Sequence, residues 1–120
     1  MRQLSQDHTA AERLVKIGAI TSEQAQTHPG RNHLTQNLGI PPEEMKIEVY
    51  KAPAINLDAG DRLLVCSDGL TDMCDDEQIG AIFESAPDCE RTAEMLVGSA
   101  NANGGTDNIS VIVVCVEKFD

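Results

Sequence analysis

The sequence predicts an α+β domain in which two helices pack on one face of a mainly antiparallel sheet. Three observations lead to this prediction. Strand-like apolar runs occupy 62–66 and 109–116, two segments with helical spacing of apolar residues lie together between them, and turn residues separate these elements. Helices that follow one another between strands favour a helical layer packed against a sheet.

The first third of the chain predicts two short helices. Thr9 followed by Glu12, and Thr21 followed by Gln24, are capping-box patterns, in which the threonine accepts a hydrogen bond from the backbone three residues later. Both helices are polar and are joined by small residues, so we expect them to form an excursion from the core. Residues 34–38 are predicted to form a short strand after them.

Three further segments predict strands. Residues 46–52 alternate apolar and polar side chains, which is typical of a half-buried strand. Residues 62–66 contain the continuous apolar run Leu63-Leu64-Val65-Cys66, which predicts a strand buried on both faces. Residues 109–116 are the strongest strand prediction, because β-branched residues dominate there.

Two helices are predicted between the last two strands. Asp75 begins the first of them, and Gln78 follows three residues later as its capping partner. Pro87 and Asp88 restart the chain into the second helix. That helix carries an apolar stripe formed by Ala93, Leu96, Val97 and Ala100.

The chain is strongly acidic, with 20 acidic and 9 basic residues and a net charge of −11. Such a field repels phosphate backbones and anionic lipid, so we expect no nucleic-acid partner and regard divalent cations as suitable ligands. Acidity also serves simply to keep a protein in solution. No apolar run approaches the roughly 20 residues that span a membrane, and no apolar signal segment opens the sequence. We therefore expect no membrane contact and a cytoplasmic location.

The four cysteines do not have the spacing of a zinc site. Cys66, Cys74, Cys89 and Cys115 include no C-x-x-C pair. Cys66 and Cys115 lie within apolar runs, where cysteine behaves as a small hydrophobic residue. A reducing cytoplasm agrees with this interpretation better than secretion does.

Two sequences place an aspartate where a predicted strand meets a turn. Asp68 follows one strand in Ser67-Asp68-Gly69, and Asp107 precedes the last strand within 104–108, GGTDN. Mg²⁺ and Mn²⁺ prefer carboxylate oxygens in fixed geometry, and glycines allow close backbone approach. If the two strands are neighbours, both aspartates emerge at the same edge of the sheet. Because both sequences are also ordinary turn sequences, the residues alone leave a metal site and a simple pair of turns open.

The same two segments resemble a known protein family. Residues 63–72, LLVCSDGLTD, are similar to the second metal-aspartate motif of the metal-dependent protein phosphatases (PPM family, protein phosphatase type 2C), especially the bacterial branch. Residues 104–111, GGTDNISV, resemble the C-terminal motif of that family. The resemblance covers nearly the whole chain, in the right order.

This resemblance implies part of a type 2C β-sandwich and a specific chemistry. Enzymes of this family hydrolyse phosphoserine and phosphothreonine in proteins with water that Mn²⁺ or Mg²⁺ activates. By resemblance, Asp68 and Asp107 are the metal ligands. Gly69, Gly105 and Asn108 would support that metal site.

The resemblance also implies a domain organisation. We expect one partial phosphatase domain over 1–120, with a small helical flap at 17–37 and a core of sheet and helices at 46–120. Arg31 on the flap is a candidate for contact with substrate, although a solvated surface arginine is the simpler interpretation. His8 lies before a helix cap and is interpreted as structural.

Several features of the family's N-terminal half do not occur in the sequence, including its Asp-Gly-x-Gly-Gly turn. We therefore expect a C-terminal half that is inactive alone, because its metal site lacks ligands. The alternative is a non-catalytic half-domain that pairs with another chain, or with itself through an uncovered sheet face. An unrelated small metal-binding domain would not explain the order of the matching motifs.

Overall fold

The computed structural model describes residues 1–46, 51 and 53–118. The strand predicted over 46–52 therefore falls almost entirely outside the described residues. The chain forms two compact units, one of Arg2–Ala54 and one of Ile55–Asp120 together with Met1. None of the helices in the described part of the chain is long and apolar enough to cross a membrane.

The first unit contains two short helices, α1 (Ala10–Lys16) and α2 (Ser22–Gln26). Both begin at the threonines that the sequence predicts as caps. The Thr9 hydroxyl accepts a hydrogen bond from the N–H of Glu12 at 3.1 Å, and Thr21 forms a complete capping box with the third residue of α2. These caps satisfy backbone donors that the start of a helix leaves unpaired.

The strand predicted at 34–38 is wrong. Among the residues that the structure describes, a single antiparallel bridge forms there, between Thr9 and Leu34. The side-chain oxygen of Gln36 accepts a hydrogen bond from the N–H of Lys46 at 3.1 Å. Residues 35–38 form bends and a turn in place of a strand.

The second unit confirms the predicted α+β class. Its elements follow in the order β1 (Arg62–Cys66), α3 (Asp68–Thr71), α4 (Asp76–Ser85), α5 (Cys89–Ala102) and β2 (Val111–Cys115). The strands pair antiparallel, with Cys66 opposite Val111 and Arg62 opposite Cys115. The end of β1 therefore lies beside the start of β2, which is the arrangement that brings the two acidic turns to one edge.

The core of this unit lies between the inner face of the sheet and the helices. Its buried members are Leu70, Cys74, Ile79, Leu96 and Ala100. Leu64 and Val113, which are opposite each other in the sheet, pack against this cluster. Each buried leucine or isoleucine side chain stabilises the fold by roughly 1.5–3 kcal/mol, so the cluster holds the helices on the sheet.

Side chains also fix both ends of α4. At its start, Asp75 forms the predicted capping box with Gln78. At its end, Nη1 of Arg62 donates to the carbonyl oxygens of Phe83 at 2.7 Å and Ala86 at 3.3 Å. These bonds tie the end of α4 to the start of β1, because carbonyl groups at a helix end lack partners within the helix.

The outer sheet face is apolar and exposed. It is formed by Val65, Ile112 and Val114, which are 61%, 62% and 44% exposed. Val65 and Ile112 are opposite each other in the sheet. The prediction that β1 is buried on both faces is wrong for the described residues, because the helices cover only its inner face.

A disulfide joins Cys89, at the start of α5, to Cys115, at the end of β2. The two Cα atoms are 6.2 Å apart, which is within the range of natural disulfides. The interpretation of Cys115 as a small hydrophobic residue is therefore wrong. Packing of α5 against β2 brings together two cysteines that are separated by 26 residues, which no local spacing indicates.

Candidate metal centre

Two turns meet at the end of the sheet where β1 stops and β2 begins. We call residues 67–69 the first turn and residues 104–108 the second turn. Beyond the last strand pair, the N–H of Ser67 donates to the carbonyl oxygen of Ser110 at 2.9 Å. This bond continues the strand pairing by one step and brings the two turns side by side.

The side chain of Ser67 links the two turns. Ser67 occupies the N-cap position of α3, where a serine usually bonds to its own helix, but it makes no such bond. Its hydroxyl instead donates to the carbonyl oxygen of Asn108 at 3.2 Å and accepts from the N–H of Ser110 at 3.0 Å. One hydroxyl thus holds the backbone on both sides of residue 109.

Gly69 lies against the second turn with no room for a side chain. A Cβ atom at position 69 would collide with the carbonyl oxygen of Asn108 and would lie 2.9 Å from its carbonyl carbon. Because both are backbone atoms, rotation of a side chain cannot relieve the clash. The sequence predicts a simple turn here, whereas the structure places Asp68 and Gly69 in the short helix α3.

Asp68 and Asp107 both expose their side chains to solvent. Within residues 1–46, 51 and 53–118, the carboxylate of Asp68 has no hydrogen-bond or ion-pair partner. Oδ1 of Asp107 accepts from the N–H of Asn108 at 2.7 Å, which orients that carboxylate and leaves its other oxygen available. Available carboxylate oxygens on two adjacent turns suit a hard cation such as Mg²⁺ or Mn²⁺.

Glycines and asparagines shape the second turn. Gly104 and Gly105 have φ angles of +131° and +52°, in the region that favours glycine. A Cβ atom at position 105 would also lie 2.8 Å from Oδ1 of Asn101. The Nδ2 group of Asn103 donates to the carbonyl oxygen of Met73 at 2.9 Å. The turn that carries Asp107 is thus anchored to α5 and to the segment after α3.

The described residues do not form a complete metal site by themselves. Within that part of the chain, no group of three or more His, Cys, Asp or Glu side chains is arranged to hold an ion. Mg²⁺ is commonly bound by one or two protein carboxylates together with water. Asp68 and Asp107 fit this role as a pair, and a centre with more protein ligands requires residues beyond those described.

Arg31, the candidate for substrate contact, belongs to the first unit. It is exposed and borders a cavity of about 390 Å³ that is lined mostly by polar side chains. His28, three residues before Arg31, is partly buried, and its Nδ1 accepts from the N–H of Gly30 at 2.9 Å. This bond shapes the turn before Arg31, whose contact with substrate stays a prediction.

The sequence does not reveal the roles of two residues of the candidate centre. Ser67 joins the two turns, and Asn103 anchors the second turn, but neither stands out in the sequence. The one available signal is the residue type, because a serine next to a turn, such as Ser67, often forms hydrogen bonds with nearby backbone groups. Its actual partner, Ser110, is 43 residues away, and no local pattern encodes that contact.

No family model matches the chain, but individual proteins do. The serine/threonine phosphatase stp of Listeria innocua is 38% identical over 114 residues, which are 95% of this chain and 44% of that protein. The PPM Ser-Thr phosphatase MsPP of Mycobacterium smegmatis, solved with cacodylate, is 39% identical with a TM-score of 0.78. The catalytic domain of the phosphatase PstP, solved with 2 manganese ions, is 32% identical with a TM-score of 0.70.

The chain spans less than half the length of the relatives that it matches. Both structural matches cover 97% of this chain, but only 48% of MsPP and 45% of the PstP catalytic domain. The similarity therefore runs through nearly all of the present sequence, while more than half of each relative has no counterpart in it.

Proposed function

We propose that this chain, which belongs to the bacterial branch of the PPM serine/threonine phosphatases, supplies part of the metal centre of a protein phosphatase. Asp68 and Asp107 are the ligands that it contributes. One observation carries the proposal, namely the junction between the two turns. Gly69 lies directly against Asn108, so both aspartates extend from backbone segments that are in contact.

The proposed reaction is the hydrolysis of phosphoserine and phosphothreonine in proteins. When bound, a divalent cation supplies an activated water and offsets negative charge on the phosphoryl oxygens. The residues of this chain hold two carboxylates on fixed turns and leave them exposed, so that an ion and a phosphoprotein can reach them. The manganese ions in the PstP structure favour Mn²⁺, and Mg²⁺ binds the same oxygen ligands.

We expect these 120 residues to be insufficient for turnover. They correspond to less than half of each relative, and their described part holds no cluster of three metal ligands. We propose that the remaining ligands of the complete centre come from sequence outside these residues.

The outer sheet face favours a second candidate function. Val65 and Ile112 are more than half exposed on adjacent strands, and apolar surface of this kind marks a place where another layer packs. In this alternative, the chain is a non-catalytic half-domain. Its outer face pairs with the complementary part of a phosphatase domain, which is the part of its relatives that this chain lacks.

A chimera separates the two candidate functions. The segment of the Listeria innocua phosphatase that this chain matches is replaced by the present sequence, and hydrolysis of a phosphothreonine peptide is measured with Mn²⁺. The catalytic proposal predicts turnover. It also predicts that Asp68→Asn or Asp107→Asn lowers kcat by roughly two orders of magnitude or more, because a bound metal stabilises the transition state by several kcal/mol.

Asp76→Asn is the matched control for this experiment. Asp76 is an exposed aspartate in the first turn of α4 and belongs to neither acidic turn, so its substitution should leave turnover unchanged. A chimera that folds but shows no turnover would support the pairing module and contradict the catalytic proposal.

A further inference from the structure

We infer that Ser67 is a positioning residue for the proposed cation centre. Its hydroxyl sets the separation of Asp68 and Asp107 by bonding from the first turn to the second. The inference rests on the proposed function, because it requires both aspartates to bind one cation. Ser67 itself is not a ligand in this assignment and acts through the backbone of the second turn.

The hydroxyl of Ser67 bonds to the second turn and to the residue at the start of the last strand. It donates to the carbonyl oxygen of Asn108 at 3.2 Å and accepts from the N–H of Ser110 at 3.0 Å. Because a serine hydroxyl has a single donor, the bond to Asn108 uses it completely. The side chain of Ser67 makes no capping hydrogen bond to α3, which agrees with its bonds to residues 108 and 110.

The partners of Ser67 connect directly to both candidate ligands. The N–H of Asn108 donates to Oδ1 of Asp107, and the carbonyl oxygen of Asn108 accepts from Ser67. Ser67 is also the residue immediately before Asp68. A continuous series of contacts therefore runs from the backbone of Asp68, through Ser67 and Asn108, to the carboxylate of Asp107.

The neighbouring backbone contacts do not replace this hydroxyl. The bond from the N–H of Ser67 to the carbonyl oxygen of Ser110 holds Ser110, and Gly69 limits how close Asn108 can approach. The hydroxyl of Ser67 is the donor that fixes the direction of the Asn108 carbonyl group. Ligands that are already held in place bind an ion more tightly, so loss of this hydroxyl should weaken binding without removing a ligand.

A titration with Mn²⁺ tests the inference on the ¹⁵N-labelled chain, with paramagnetic broadening of the amide signals of both turns as the readout. In the unmodified chain, both turns should broaden along one binding curve. Ser67→Ala should weaken binding roughly fivefold to tenfold, which is the loss expected when one or two hydrogen bonds disappear. Ser67→Thr keeps the hydroxyl and should restore the affinity.

Ser85→Ala is the matched control. The hydroxyl of Ser85 is exposed and donates to the carbonyl oxygen of Ile82 within α4, so its removal should leave the binding curve unchanged. If folded Ser67→Ala binds Mn²⁺ like the unmodified chain, the positioning role is wrong and the proposed function stands. If Mn²⁺ broadens the amide signals of neither turn in the unmodified chain, the proposed function is wrong, and so is the inference that rests on it.

A second measurement needs no substitution and therefore applies even if Ser67→Ala does not fold. If the Ser67 contacts strengthen cation binding, a bound cation must stabilise those contacts by the same free energy. The amide of Ser110 donates to the Ser67 hydroxyl, so saturating Mg²⁺ should slow hydrogen exchange of that amide by roughly fivefold to tenfold. The amide of Ala86, which donates to Ile82 at 2.9 Å at the end of α4, is the control and should not respond. Equal exchange at Ser110 with and without Mg²⁺ would contradict the inference.

Discussion

Gly69 packs so closely against the carbonyl oxygen of Asn108 that no side chain fits at position 69. The contact joins the segment after β1 to the segment before β2, which are far apart in sequence. Asp68 and Asp107 are the residues directly before the two contacting positions. This close approach is the geometric basis for treating the two aspartates as one site.

Substitution of Gly69 tests this contact directly. Gly69→Ala should lower the free energy of unfolding by about 2 kcal/mol, because the new methyl group meets backbone atoms that cannot move aside. Urea unfolding measures the change. Gly80→Ala is the control, since a Cβ atom at that position in α4 has nothing within 4 Å. It should stabilise the chain by about 0.5–1 kcal/mol, and equal effects of the two substitutions would contradict the close approach.

Reduction of the Cys89–Cys115 disulfide should destabilise the chain. The bond closes a loop that contains α5 and the whole second turn. Opening a loop of this length raises the entropy of the unfolded chain and costs about 3 kcal/mol of stability. Urea unfolding with and without reductant measures the effect. A chain with both Cys89→Ser and Cys115→Ser should have the stability of the reduced chain, and reductant should not change it. If reductant leaves the stability of the unmodified chain unchanged, this expectation is wrong.

The disulfide also bears on cellular location. The cytoplasmic location expected from the sequence stays a prediction, and a reducing cytoplasm would keep both thiols reduced. Counting reactive thiols in the unfolded chain, isolated under conditions that trap its redox state, would distinguish the two forms.

The outer sheet face should drive self-association of the chain. Ile112 is 62% exposed there, whereas the net charge of −11 opposes contact between copies. Association should therefore strengthen with salt, which screens the repulsion. Ile112→Thr should weaken it roughly tenfold by removing apolar contact area, as measured by sedimentation velocity. Ile17→Thr, at a residue that is 68% exposed in the first unit, is the control. A chain that stays monomeric at every salt concentration would refute this expectation.

The chain by itself should not hydrolyse phosphoproteins at a measurable rate. Its described part offers two adjacent carboxylates but no cluster of three ligands, so we expect the chain to need further ligands for a complete catalytic centre. The assay uses a phosphothreonine peptide with Mn²⁺. Turnover that Asp68→Asn abolishes would mean that the missing ligands lie within this sequence or in a second copy of it.

The sequence predicts well those features of the fold that depend on residues only a few positions apart. The capping boxes at Thr21 and Asp75 form as expected, because each involves a partner only three residues away. The bounds of β1 agree with the apolar run at 62–66. The short helix α3 was not predicted, because its four residues carry no helical periodicity, and burial of Leu70 in the core holds it.

Contacts between distant segments could not be predicted in the same way. The Ser67–Ser110 bonds and the Cys89–Cys115 disulfide depend on the register of β1 with β2 and on how α5 packs. The exposure of the outer sheet face depends on which layers cover the sheet. An apolar strand sequence does not indicate whether one face or both faces are covered. Asp68 and Asp107 could be singled out from their turns, but the bridge between those turns required the structure.

A double-mutant cycle on Mn²⁺ affinity tests most directly whether Asp68 and Asp107 hold one cation together. Electron paramagnetic resonance of free Mn²⁺ gives the dissociation constants of the unmodified chain, Asp68→Asn, Asp107→Asn and the double variant. The unmodified chain should bind in the roughly millimolar range, as expected when few carboxylates contribute. Each single substitution should weaken binding about tenfold or more, and the double variant should bind little worse than either. A shared cation would be contradicted if the single variants bind like the unmodified chain. It would also be contradicted if the losses of binding free energy in the two single variants add up to the loss in the double variant.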